Sequence, residues 1–212
     1  MTTLYTWTTP NGRKISIALE ELGLPYEARA IDITKGDQND ADFRALNPNG
    51  KIPVLVEEDG RIVNESNAIL LYLAEKSGQF VPKHGTQAYW DMLEWLMWQA
   101  SGFGPMLGQA HHFLRYNRGK SEYSEQRFHA EAERLYGILD QKLTGQAYML
   151  KEMSILEFAI WPWVSRFEHH EVDLSAYPAV CDWYLRLAER PGFAKGYIQP
   201  FEVEPIPLPK DA

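Results

Sequence analysis

Three short stretches and one dispersed set carry residue types able to hold a small anionic ligand or a sulfur. The first is Thr9-Pro10-Asn11-Gly12-Arg13-Lys14-Ile15. Leu4-Tyr5-Thr6-Trp7 before it has the aromatic and β-branched character of a strand, and Ile15, Ala18, Leu19 and Leu22 after it share one helical face. Thr9 and Asn11 therefore stand at a helix N-terminus. Thr is a good N-cap, Pro is tolerated at the first helical position because its missing N–H had no partner there, and Gly23 closes the helix. Two readings follow. The junction is a plain capped helix, or its free N–H groups and positive dipole end hold an anion, including a thiolate, whose pKa falls in such a place.

The second stretch is Asn47-Pro48-Asn49-Gly50-Lys51-Ile52-Pro53-Val54, a sharp loop feeding a strand. Ile52-Pro53 is either an ordinary trans bond or a cis bond that exposes the backbone of Ile52, where a peptide can add as a further strand. The third is Glu65-Ser66 at the start of a helix. Both residues serve as caps, or Ser66 and the free N–H groups take a ligand carboxylate while Glu65 takes its amino group. The fourth is the dispersed set Gln38, Lys51 and Arg127, polar groups that either clamp a small anionic peptide or are simply solvated.

Other chemistry is poorly supported. His111-His112 and His169-His170 are adjacent pairs whose rings point about 100° apart on a helix, and no zinc spacing accompanies them, so no metal is assigned. Tyr5, Trp95 and Trp98 read as packing residues. No glycine-rich phosphate loop, nucleophile elbow or catalytic triad is present. The net charge of −8, with 21 basic and 29 acidic residues and no basic stripe, argues against nucleic acid as a partner. The sequence has no signal-peptide layout and no run of 18 apolar residues, so a cytoplasmic protein without a membrane partner is expected. Its one cysteine, Cys181, lies in a helical pattern as a small hydrophobe; any thiol chemistry falls to a ligand.

The elements that must position these residues fall into two halves. Residues 1–77 alternate strand and helix signals in the order β-α-β-α-β-β-α. Tyr26–Ile33 is the second strand and Asp42–Leu46 a short helix. A hairpin spans Pro53–Glu57 and Arg61–Val63 around Asp59-Gly60, and the following helix turns Ile69, Leu70, Tyr72 and Leu73 to the core. Residues 78–86, rich in Gly, Pro and polar groups, form a linker. Residues 87–212 are helical and end in a Pro-rich extended tail. The first of these helices puts Tyr89, Leu93, Leu96 and Met97 on one stripe before Gly102, Gly104 and Pro105 interrupt it. The next runs from Ser124 to Leu143 with Phe128, Leu135, Ile138 and Leu139 apolar. A capping box at Ser154–Glu157 then opens an apolar central helix. The last helix covers Pro178–Glu189 and is stopped by Pro191-Gly192.

This arrangement resembles the cytosolic glutathione transferase superfamily: an α/β thioredoxin-like domain, the Ile52-Pro53 loop, Glu65-Ser66 before Ala68-Ile69-Leu70-Leu71-Tyr72-Leu73, then an all-α domain. Within the superfamily, the junction at residues 9–15, Asn49-Gly50-Lys51-Ile52-Pro53, and Trp95-Leu96-Met97-Trp98-Gln99 through Gly104–Gln109 are similar to the bacterial Nu class. That resemblance implies a homodimeric, glutathione-dependent disulfide-bond oxidoreductase that uses bound glutathione thiols. The alternatives are a transferase conjugating glutathione to small electrophiles and a non-enzymatic glutathione-binding module. It also implies that Thr9 hydrogen-bonds the glutathione sulfur and Asn11 the thiol or a second glutathione. Ile52, before a cis Pro53, pairs with the cysteinyl unit, Glu65 and Ser66 hold the γ-glutamyl end, and Gln38, Lys51 and Arg127 bind the remaining polar groups. Two departures stand out. Glu157 replaces the usual Asp of the buried capping box, which implies a rearranged cap, and Met149–Glu152 lacks the usual glycine; both bear on local stability rather than on the glutathione site.

Overall fold

The computed structural model describes residues 1–209. The chain divides into two compact units, residues 1–81 with 188–206, and residues 82–187 rejoined from Pro207.

The first unit is built on a four-stranded sheet of β1 (Thr2–Thr6), β2 (Tyr26–Ala30), β3 (Val54–Val56) and β4 (Ile62–Asn64), in the order β2-β1-β3-β4. β2 runs parallel to β1, as the crossover through helix α1 (Pro10–Glu21) requires, β3 runs antiparallel to β1, and β4 antiparallel to β3. Leu4, paired with Ala28 on one side and Leu55 on the other, is fully buried. Helices α2 (Ala41–Leu46) and α3 (Ser66–Ser77) complete the expected order. β2 stops three residues short of Ile33. A side-chain turn takes the chain over, with Asp32 Oδ1 accepting from the Thr34 amide at 3.0 Å and Asp37 Oδ2 from the Asp32 amide at 3.0 Å. In α3, Ile69, Leu70 and Leu73 are buried as expected, but Tyr72 is only half-buried.

α1 is the interior helix of this unit, with every residue from Gly12 to Leu19 buried, Arg13 and Lys14 included. Gly12 is required, because a Cβ there would strike the Trp7 carbonyl and the Thr6 hydroxyl. One face of α1 is covered by a helix that sequence patterning does not show, α9 (Pro191–Tyr197). Pro191 opens this helix at its first turn rather than stopping the preceding one, since Pro is as well suited to N1 as to a terminator. Residues 188–206, read from sequence as part of the helical half, therefore pack with the first unit. A Cβ at Gly196 would lie 2.5 Å from the Ile17 backbone, so the two helices meet backbone to backbone.

No helix or strand occupies residues 78–86, and α4 (Gln87–Trp98) opens the second unit, capped by Thr86. α4 buries Tyr89, Met92 and Leu96, and leaves Met97 53% exposed, so the buried stripe lies on Met92 rather than Met97. The expected interruption is a π-helical stretch, Gln99–Phe103, after which the helix continues as α5 (Gly104–Ala110) and a second π-helical stretch, His111–Tyr116. α6 (Glu122–Leu143) buries Leu135 and Leu139 together with Ala132, Tyr136 and Leu143, while Phe128 and Ile138 are half-buried. α7 (Ile155–Val164) is buried along its whole length. α8 (Pro178–Ala188) supplies the Tyr184 ring that stacks on Trp161 at 5.1 Å.

The cap of α7 is intact, contrary to the expected rearrangement. Glu157 is fully buried; Oε2 accepts from the Ser154 amide at 2.8 Å and Oε1 from the Met149 amide at 2.7 Å. The longer side chain thus satisfies the N-cap and the preceding loop together. In the same unit, His111 and His170 stack at 4.6 Å, with His170 Nδ1 3.0 Å from the Tyr136 hydroxyl. Burial, reinforced by the neighbouring histidines and Arg166, pushes His111 down to about 3 and His170 well below its ordinary value.

Two stability measurements follow. Glu157→Ala leaves two buried amides without acceptors and should cost about 3 kcal/mol in urea unfolding, whereas Glu157→Gln, which keeps an acceptor, should cost roughly 1 kcal/mol. Because the folded histidines lose protons that the unfolded chain binds near pH 6.5, stability is fully present above that pH and falls toward pH 3. The expected slope is about 1.4 kcal/mol per pH unit for each histidine. Unfolding of His111→Gln between pH 7 and 5 should show one histidine's share of that slope removed.

Candidate functional site

Three segments of the first unit enclose a cavity of about 230 Å³: the N-terminus of α1, the loop between α2 and β3, and the N-terminus of α3. Its walls are Asn11, Asn47, Asn49, Lys51, Ile52, Pro53, Glu65 and Ser66. That volume suits one end of a peptide-like ligand rather than a whole drug-sized molecule.

At α1 the Thr9 hydroxyl accepts from the Gly12 amide at 3.3 Å, Pro10 follows at the first helical position, and no acidic residue occupies the first turn. The cap and the anion-binding end are therefore compatible. A hydroxyl that accepts from Gly12 still has its own proton to donate.

The loop before β3 is shaped by Asn47, which is almost fully buried. Its Nδ2 donates to the Lys51 carbonyl at 2.7 Å and its Oδ1 accepts from the Asn49 amide at 3.0 Å. Asn64 Nδ2 holds the Leu46 carbonyl at 3.1 Å, tying the loop to β4. Gly50 turns at φ 63°, the left-handed conformation open to glycine, and the Ile52-Pro53 bond is cis.

α3 begins at Ser66 without a side-chain cap and without an acid in its first turn. Glu65, exposed at the lip of the cavity, adopts φ 68°, a conformation that costs an ordinary side chain energy and clusters at functional sites. Behind Ser66 lies Lys14, whose Nζ donates to Ser66 Oγ at 3.2 Å and to Asn67 Oδ1 at 2.9 Å. Burial pulls its pKa down to about 7, opposed by the Glu65 carboxylate.

The structure thus brings Asn11, Lys51, Ile52, Pro53, Glu65 and Ser66 to one cavity. Thr9 caps the same helix but is not among the lining residues. Gln38 lies in a short 3-10 turn, half-buried, its Oε1 without a hydrogen-bond partner, and does not line the cavity. Arg127 is exposed on α6, in the second unit. Sequence reasoning missed the roles of Asn47, Asn49 and Lys14. The Asn-Pro-Asn-Gly run marked the loop, but nothing local marked Lys14 as buried.

A larger cavity of about 640 Å³ in the second unit is lined by Phe167, Leu174, Cys181, Leu185 and several carboxylates. Burial and the nearby Asp182 and Asp173 push the Cys181 thiol up, away from a reactive thiolate. Among the described residues no group of three or more His, Cys, Asp or Glu is arranged to hold a metal, and no helix is long and apolar enough to cross a membrane.

Residues 8–76 match the family described as glutathione S-transferase, N-terminal domain. The disulfide-bond oxidoreductase YfcG of Escherichia coli is 40% identical over 206 residues, covering 94% of this chain and 95% of its own. A glutathione transferase from Pseudomonas putida, with one glutathione disulfide bound per subunit, superposes with TM-score 0.88 at 37% identity, covering 94% of this chain and 91% of that one. One from Burkholderia graminis, with two glutathione molecules bound per subunit, superposes equally well at 0.88 and 36% identity, covering 94% and 88%. With a thioredoxin-like α/β unit, a helical unit and relatives matched along nearly its whole length, the chain belongs to the glutathione S-transferase family.

Proposed function

We propose that the protein is a glutathione-dependent disulfide-bond oxidoreductase that works with the thiols of bound glutathione rather than with a cysteine of its own. The observation that carries this reading is the make-up of the cavity. Amide, hydroxyl, ammonium and carboxylate side chains meet at two helix N-termini with no sulfur among the lining residues. The chain's one cysteine belongs to the second unit. The name of the Escherichia coli relative and the glutathione disulfide in the Pseudomonas putida structure support the same activity.

In this reading α3 receives the γ-glutamyl end: Ser66 and the uncapped N–H groups meet its carboxylate, and Glu65 meets its amino group. The backbone of Ile52 pairs with the cysteinyl unit, as in strand addition, and Lys51 meets the remaining carboxylate. Gln38 and Arg127 lie outside the cavity walls, and this reading does not depend on them; the assembly it implies is a cytoplasmic homodimer. The sulfur then lies at the start of α1, where the Thr9 hydroxyl, the Asn11 amide and the helix dipole favour thiolate over thiol. A free thiol has a pKa of about 8.5, and each unit by which it falls corresponds to about 1.4 kcal/mol of preferential thiolate stabilisation.

The thiolate attacks one sulfur of a disulfide RS–SR′. The old S–S bond breaks, a new one joins glutathione to RS, and R′S⁻ leaves and takes a proton. A second glutathione thiolate attacks the glutathione sulfur of that mixed disulfide and releases RS⁻, which is protonated. Two glutathiones become one glutathione disulfide and RS–SR′ becomes two thiols. The protein's part is alignment and charge stabilisation.

Asn11→Ala should lower kcat/KM for glutathione-dependent reduction of bis(2-hydroxyethyl) disulfide by about 30-fold, with a stability change under about 1 kcal/mol. Conjugation of an activated aryl halide, measured beside it, should be slow. Brisk conjugation without disulfide reduction would make the protein a conventional transferase. Glutathione binding with neither reaction would make it a binding module.

A further inference from the structure

Adjacent residues of α1 place two buried cations against opposite ends of two helices. Arg13, 1% exposed, donates from Nε to the Tyr197 carbonyl at 2.9 Å, at the C-terminal end of α9, where a positive charge meets a negative dipole end. Lys14, 2% exposed, does the reverse. Its Nζ reaches Ser66 and Asn67, the first two residues of α3, at the positive end of a twelve-residue helix. An ammonium that is buried and donates to the Ser66 hydroxyl and the Asn67 side-chain oxygen, at the positive end of a helix, is costly both for its burial and for its place at that dipole end. It becomes favourable when an anion arrives on the other side of Ser66, which lines the cavity.

We propose that Lys14 is a positioning residue that holds the mouth of α3 and, acting through Ser66, supplies the charge met by a ligand carboxylate, taking up a proton as that carboxylate binds. This rests on the glutathione reading above and extends it to a proton-linked binding step. The strained backbone at Glu65 agrees with it, since the segment 65–67 is held by Lys14 from behind.

The charged and titratable groups on the elements around Lys14 are few. Glu65 stands just before α3, which carries Tyr72, Glu75 and Lys76; α9 carries Lys195 and Tyr197, with Arg190 just before it bonded to Glu21 of α1; β1 carries Tyr5; Arg13, Glu20 and Glu21 share α1; and Lys51 stands across the cavity. Of these the Glu65 carboxylate raises the Lys14 pKa, against the larger effect of burial that brings it to about 7. Near neutral pH the group is therefore only partly protonated. An anion that raised its pKa by one unit would draw in roughly half a proton at pH 7.5.

The test is calorimetry of S-methylglutathione, whose sulfur carries no proton, binding to the full chain at pH 7.5 in phosphate and in Tris, buffers of different ionisation enthalpy. The expected result is uptake of roughly half a proton by the wild type, with uptake lost in Lys14→Met together with about 10-fold or more in affinity. In Lys14→Arg, which is charged throughout, uptake should be lost while more of the affinity is kept. Binding by the wild type without proton uptake overturns the proposal and leaves the glutathione reading standing, whether or not either variant folds. Uptake that persists in Lys14→Met also overturns it. A folded wild type that does not bind S-methylglutathione at all overturns the glutathione reading and this inference with it.

Discussion

The first unit depends on how α1 buries two consecutive cations. A guanidinium or ammonium inside a protein is costly unless it is met by hydrogen-bond acceptors, and α1 solves this separately for each. For Arg13 the Tyr197 carbonyl, at the end of α9, accepts from Nε and the Glu204 carboxylate lies 3.8 Å from Nη1; Ser16 Oγ donates to the Gly196 carbonyl at 2.7 Å. The Tyr197 ring lies under the guanidinium at 3.5 Å, adding a cation–π contact. The need runs both ways: α9 has only seven residues, too few to be stable alone, and α1 has a side that must be covered.

The second unit answers a similar problem with the opposite charge. Glu157 lies at the start of an entirely apolar helix, and burial raises its pKa even though backbone amides pull the other way. Its two oxygens are divided between two amides, Ser154 and Met149, so one side chain closes both the helix N-terminus and the loop that precedes it. An Asp would be a methylene shorter, and the reach to Met149 is what the longer residue adds.

These cases also mark what a sequence can and cannot reveal. The order of strands and helices was legible, because each element carries its own period and punctuation: the Asp59-Gly60 turn, the Thr9 cap, and the Ser154–Glu157 box. Most of the cavity was legible too, because Asn11, the Lys51-Ile52-Pro53 loop and Glu65-Ser66 stand at element junctions that local rules can find. What escaped was decided at long range. Pro191-Gly192 ends one helix or begins another with equal local sense, and the approach of Gly196 to Ile17, 179 positions away in sequence, is what selects the second. Met92 and Met97 fit the periodicity almost equally, and packing decided which was covered. Lys14 follows Arg13 in what reads as a polar pair, and its burial depends on α3 lying against α1.

Phase along α1 then ties architecture to chemistry. Successive residues on a helix point about 100° apart, so Arg13 and Lys14 can serve different neighbours without competing. One faces the end of α9, where a cation is welcome; the other faces the beginning of α3, where it is not. The first contact needs no ligand and fastens the returning chain to the unit. The second leaves an ionisable amine and a positive dipole end at Ser66, and the α1 N-terminus with Asn11 opens onto the same cavity. A site of this kind cannot be optimised for stability in its empty state, because the features that make it stable without an anion, such as an acidic cap at Ser66 or an apolar residue at 14, would remove what the anion binds to.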